Sequence, residues 1–69
     1  MIRAKMGLAA GVFFRKRVRN ILEIEMNSTD LNVIISERKG LIQSVFQISV
    51  EGEETRVKSW VNRIKSIFI

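Results

Sequence analysis

The chain has 69 residues, with 12 Lys and Arg against 7 Asp and Glu for a net charge of +5, and it is 46% hydrophobic and 28% charged. That is enough for one small domain and too apolar for a disordered chain. It contains no Cys and no His, which excludes disulfide staples, thiolate zinc sites, imidazole ligands and histidine acid–base chemistry.

The net positive charge lies entirely in residues 1–19, where Arg3, Lys5, Arg15, Lys16, Arg17 and Arg19 meet no acid. From residue 20 onward six cations face seven acids. A near-neutral folding unit behind a basic leader suggests that the leader touches an anionic surface. Residues 6–14 form an unbroken apolar run. It is shorter than the ~20 residues of a bilayer span, and cations follow it in place of a signal-peptide cleavage site. Apolar residues ending in a basic cluster suit the cytoplasmic end of a membrane helix, or a segment lying among lipid headgroups. The Gly7 and Gly11 spacing is of the kind used between membrane helices. The candidate anion or membrane contacts are Phe13, Phe14, Arg15, Lys16, Arg17 and Arg19. An alternative is contact with nucleic-acid phosphates, with the two phenylalanines stacking on bases, although no RNP-like or recognition-helix pattern accompanies the charge. A third reading is an ordinary strand or helix with solvated charges.

Beyond the leader, Leu22, Ile24 and Met26 alternate with Glu23 and Glu25, which predicts a strand with both glutamates on its solvated face. Residues 27–30, Asn-Ser-Thr-Asp, supply a polar turn. Leu31, Val33 and Ile35 continue the period of 2, and residues 37–40, Glu-Arg-Lys-Gly, read as a hairpin turn. Ile42, Ser44, Phe46, Ile48 and Val50 then alternate with Gln43, Val45, Gln47 and Ser49 as a half-buried strand.

The last seventeen residues change to a period of 3.6. Val57, Trp60, Val61, Ile64, Ile67 and Phe68 form one stripe, while Arg56, Lys58, Ser59, Asn62, Arg63, Lys65 and Ser66 fall outside it, which predicts an amphipathic helix. Glu53 and Glu54 at its start and Arg63 and Lys65 toward its end complement the helix dipole. Gly52 marks where it begins, and Trp60 is expected at the centre of the contact between helix and sheet.

Two segments resemble known families. Residues 7–15, Gly-Leu-Ala-Ala-Gly-Val-Phe-Phe-Arg, resemble the acylphosphatase signature loop, in which backbone N–H groups and an arginine cradle a phosphate. This implies a preceding strand over Ile2, Ala4, Met6 and Leu8, a following helix, and a phosphate held by Arg15. Ala10 stands where the signature has glutamine, and Ser36 where the family's catalytic asparagine would be. The spacing to Glu51 and Gly52 is several residues too long, and the chain stops at Ile69, before the last strand of such a fold. The strands running into Trp60, Val61 and Ile64 resemble the closing strand and C-terminal helix of pleckstrin-homology-like domains, in which a helical tryptophan plugs a barrel, and this implies work at membranes.

The expected architecture is therefore α+β: a three-stranded antiparallel meander covered by one C-terminal amphipathic helix (β-β-β-α), with residues 1–19 as a basic leader and 20–69 as the domain. The expected role is non-catalytic, as the cytoplasmic membrane-proximal domain of a membrane-associated protein at the inner face. Nucleic-acid binding and a degenerate acylphosphatase-like phosphate-binding protein are the alternatives. No catalytic residue, metal or cofactor is expected. An exposed strand edge would template pairing with a second copy.

Overall fold

The first strand alternates apolar residues with cations and small residues. In the computed structural model, which describes residues 1–68, it is β1 (Ile2–Gly11), followed by α1 (Arg15–Asn27), β2 (Asn32–Lys39), β3 (Gln43–Gly52) and α2 (Glu54–Phe68). The sheet order is β1-β3-β2, with both outer strands antiparallel to β3. Ile2 lies opposite Gly52 and Gly11 opposite Gln43 on one side of β3, and Asn32 lies opposite Glu51 and Lys39 opposite Ser44 on the other.

The period of 2 decides the two faces of the sheet. Ser44, Phe46, Ile48 and Val50 of β3 are buried, and Ile2, Ala4, Met6, Leu8, Val33 and Ile35 pack around them. Arg3, Lys5, Gly7, Ile34, Ser36, Gln47 and Ser49 lie on the opposite, open face. Both helices cover the apolar face. α2 contributes Val57, Trp60 and Ile64 to the core, with Val61 and Phe68 half-buried, and α1 contributes Leu22. The Trp60 indole N–H donates to the Glu25 carbonyl of α1 at 3.4 Å, so this side chain joins the helices as well as filling the core.

The architecture is α+β, with three antiparallel strands and a C-terminal helix, as expected. Two assignments differ. Residues 22–26, expected as the first strand, belong to α1, and the third strand is β1. The apolar spacing explains this: Val18, Leu22 and Met26 recur every four residues on one helical face, and Leu22 is fully buried. Ile24, which an alternating strand would bury, is 65% exposed. Residues 1–19 accordingly share the sheet and core with residues 20–68, and position 19 falls inside α1.

The second difference is the hairpin. β2 runs through Lys39, so the connection falls on Gly40, Leu41 and Ile42. The Gly40 N–H donates to the Gln43 carbonyl at 2.8 Å, and a Cβ at residue 40 would lie 2.7 Å from that oxygen, so the turn requires glycine. Leu41 and Ile42 are thereby carried out of the strand and into solvent.

The glutamates of α1 also part company. Two positions apart on a helix they face different sides: Glu23 is exposed, while Glu25 is buried and paired with Arg63 of α2. Arg63 donates from Nε to Oε2 at 2.7 Å and from a terminal nitrogen to Oε1 at 3.3 Å. The carboxylate beside it holds the guanidinium above its ordinary pKa.

Candidate membrane-contact site

Antiparallel pairing brings the end of β1 and the start of β3 to one pole of an elongated molecule, 37 × 19 × 16 Å. A ten-residue strand spans ~33 Å, so β1 and β3 run nearly the whole length. At this pole the Val12 N–H donates to the Ile42 carbonyl at 3.1 Å, and the Phe14 N–H closes a turn onto the Gly11 carbonyl at 2.9 Å. Residues 12–14 and 40–42 therefore stand side by side.

The side chains they present are apolar and wet. Leu41 is 98%, Phe13 91%, Ile42 80% and Phe14 59% exposed, with Val12 at the margin. Large aliphatic and aromatic groups clustered in solvent mark an interaction surface.

Cations flank this tip. Arg15, Lys16 and Arg17 form the first turn of α1, and Arg38 and Lys39 end β2. The ion pairs among the described residues are Arg3–Glu51, Arg19–Glu37, Arg56–Asp30, Lys58–Glu54 and Arg63–Glu25, so all five tip cations are unpaired. The first turn of α1 also has no acid, and Phe14 provides no side-chain cap. Three positive side chains thus sit at the positive end of the helix dipole, where they oppose helix formation and favour a bound anion.

Arg19 is held elsewhere. It donates from Nε to Glu37 Oε1 at 2.8 Å, and a terminal nitrogen lies 2.6 Å from the same oxygen. The other carboxylate oxygen and the Ser44 hydroxyl are both buried, and neither has a hydrogen-bond partner. Burial pushes the Glu37 carboxyl up, but the nearby Ser44 hydroxyl, the Arg19 hydrogen bond and the charges of Arg19 and Lys39 outweigh it and hold the group below the ordinary glutamate range.

Of the residues expected from sequence, Phe13, Phe14, Arg15, Lys16 and Arg17 are therefore together at the tip, and Arg19 sits one turn behind it in an internal ion pair. Leu41, Ile42, Arg38 and Lys39 are additions. Their signal was the Glu-Arg-Lys-Gly-Leu-Ile run, in which the glycine fixes the turn two to three residues later than the polar residues suggest.

The segment resembling the phosphate loop is extended rather than cupped. Residues 7–11 pair with β3 in unbroken register. The N–H groups of Val12 and Phe14 are used internally. Arg15 opens α1 on the helical side of the sheet, and Ser36 projects from the open face. Among the described residues no group of three or more Asp and Glu is gathered as a metal site, and no helix is long and apolar enough to cross a membrane.

Comparison with protein families, with curated proteins and with solved structures finds no match to this chain.

Proposed function

We propose that this chain is a small non-catalytic domain that docks on an anionic membrane surface, with the tip of Val12, Phe13, Phe14, Leu41 and Ile42 entering the headgroup layer. Its setting is then the cytoplasmic face, where anionic lipids concentrate. The observation that carries this reading is the coincidence, at one pole, of exposed apolar side chains with five unpaired cations. Lasting attachment to a bilayer takes two signals, an apolar insertion and a basic patch, and the tip has both. Each cation near an anionic surface contributes ~1 kcal/mol, and full burial of an aliphatic or aromatic side chain contributes ~1.5–3 kcal/mol. Nucleic acid is served less well: stacking needs aromatic groups along a basic groove, and here two phenylalanines stand on a convex end.

Sedimentation with vesicles tests the reading. The chain should pellet with phosphatidylserine-containing vesicles and stay in solution with phosphatidylcholine alone. Equal behaviour with both would overturn it, as would retention only by an oligonucleotide pool.

A second reading draws on the order β1, turn, α1, with Arg15 as the first helical residue, which is what the acylphosphatase resemblance implies. Here Arg15 would pair with a small phosphate. Acyl phosphate hydrolysis lost in Arg15→Ala would favour it over the membrane reading.

A further inference from the structure

We propose that β1 pairs with β1 of a second copy of this chain, antiparallel and centred on Met6, joining two three-stranded sheets into one of six strands. The inference is independent of the membrane reading and rests on the exposed edge of the sheet.

β1 is an edge strand of ten residues in continuous register, with no bulge in its pairing, in a chain that has no proline. Its hydrogen-bond phase follows from one bond. The Val12 N–H donates to Ile42, which lies opposite it, so that pair is of the hydrogen-bonded kind. Antiparallel pairs alternate, so the even-numbered residues of β1 bond to β3. The N–H and C=O groups of Arg3, Lys5, Gly7 and Ala9 therefore point away from the sheet, toward whatever lies alongside.

The two edges of the sheet differ. Both carry cations, Arg3 and Lys5 on β1 and Arg38 and Lys39 on β2, but β2 also has an inward-facing charge at Glu37, which discourages strand addition. The inward row of β1 is Ile2, Ala4, Met6, Leu8 and Ala10, with no charge. Beside it runs a groove lined by Ile2, Ala4, Val57 and Val61 and edged by Lys58, Asn62 and Lys65 of α2.

Register selects the occupant. With Met6 at the two-fold axis, Arg3 of each copy lies opposite Ala9 of the other and Lys5 opposite Gly7, so no cation lies directly opposite a cation. On the inward face Ala4 lies opposite Leu8 and Ile2 opposite Ala10, pairing small with large and bringing Leu8 of the second copy over the Ile2 and Ala4 side of the groove. Centring on Lys5 would oppose two lysines, which is destabilising. Centring on Gly7 would place two side-chain-free residues at the axis and leave Ile2 unpaired. The outward-pointing groups of the Met6 register are also in the correct phase, since odd-numbered residues meet odd-numbered residues.

Sedimentation equilibrium without lipid should give twice the 8.0 kDa chain mass. Gly7 is exposed and a Cβ there meets nothing closer than 3.9 Å, so substitutions fold. Gly7→Lys sets like charges against Lys5 in two symmetric pairs and should weaken the dimer roughly tenfold at low salt, while Gly7→Glu should tighten it by a similar factor. Because the chain has no cysteine, Met6→Cys should form a symmetric disulfide on mild oxidation, and Ser59→Cys, exposed on α2, should not. A monomer at all concentrations overturns the proposal. So does a dimer that ignores the sign of residue 7, or one whose Met6→Cys form does not cross-link.

Discussion

Val12 and Ile42 are thirty residues apart in sequence, and the single hydrogen bond between them, 3.1 Å from N–H to carbonyl, holds two loops side by side as one apolar tip. Neither loop makes the surface alone. Phe13 and Phe14 come from the β1–α1 turn, Leu41 and Ile42 from the hairpin, and only antiparallel pairing of β1 with β3 brings them to one pole.

The first prediction separates binding from folding. Phe13 and Leu41 are almost wholly exposed, so Phe13→Ser with Leu41→Ser should leave the melting temperature within a degree or two. Partial insertion of each side chain is worth about tenfold in affinity. The double variant should therefore bind anionic vesicles on the order of a hundredfold more weakly, read by vesicle sedimentation beside a thermal melt.

Arg15, Lys16 and Arg17 should give effects of opposite sign. Changing all three to Gln removes ~1 kcal/mol of surface attraction each, so binding should fall by roughly two orders of magnitude. It also removes like charges from the positive end of α1, worth ~0.3–1 kcal/mol each. The free domain should thus become more stable, seen as a higher urea midpoint.

Acid should loosen the interior through Glu37. A carboxyl held below its unfolded pKa adds stability that is fully present above the unfolded value and is lost as pH falls through the folded one. With the unfolded value at about 4.3, urea midpoints should be level at neutral pH and decline below pH ~4. Glu37→Gln should flatten that decline and lower the midpoint at pH 7.

The helix–helix ion pair should respond asymmetrically. Arg63 is largely solvated and Glu25 is buried, so Arg63→Ala leaves a buried carboxylate without its partner, whereas Glu25→Gln strands no charge and keeps the shape. Thermal melts should show the arginine change to be the more damaging.

Phe46 tests how small the core is. It is fully buried on the central strand, and Phe→Ala in a core costs ~3–5 kcal/mol. A domain of this length has ~3–10 kcal/mol in total. Phe46→Ala should be largely unfolded by circular dichroism at 37 °C.

What sequence could reveal depended on how many periods each element showed. α2 repeats its apolar stripe over four turns, and β3 repeats its alternation over five pairs, so both were legible. Leu22, Ile24 and Met26 offered only two periods of a strand, and the longer helical spacing through Val18, Leu22 and Met26 prevailed once Leu22 found the sheet. In β1 the alternation was masked because Gly7, Ala9 and Gly11 on the open face are as compatible with an apolar run as the buried row is. The basic half of the tip was visible as a charge cluster. Its hairpin half was not, because the difference between a strand residue and a turn residue at Leu41 and Ile42 is set by the close approach of Gly40 to Gln43, a backbone geometry that side-chain patterning does not encode.

The rod has a further consequence. At the tip, residues 12–19 and 37–43 bring six cations against one carboxylate. At the far pole, residues 2–4, 28–31 and 51–56 bring Asp30, Glu51, Glu53 and Glu54 against Arg3 and Arg56. Charge separated along a 37 Å axis is a permanent dipole, and near a negatively charged sheet of lipid it experiences a torque that acts over about a Debye length, ~8–10 Å. The molecule would turn end-on before it touches, so Phe13 and Leu41 would arrive first and Met1 last. Capture would then be set by rotation in the field as well as by contact, and it would slow with added salt even if the inserted state were unchanged.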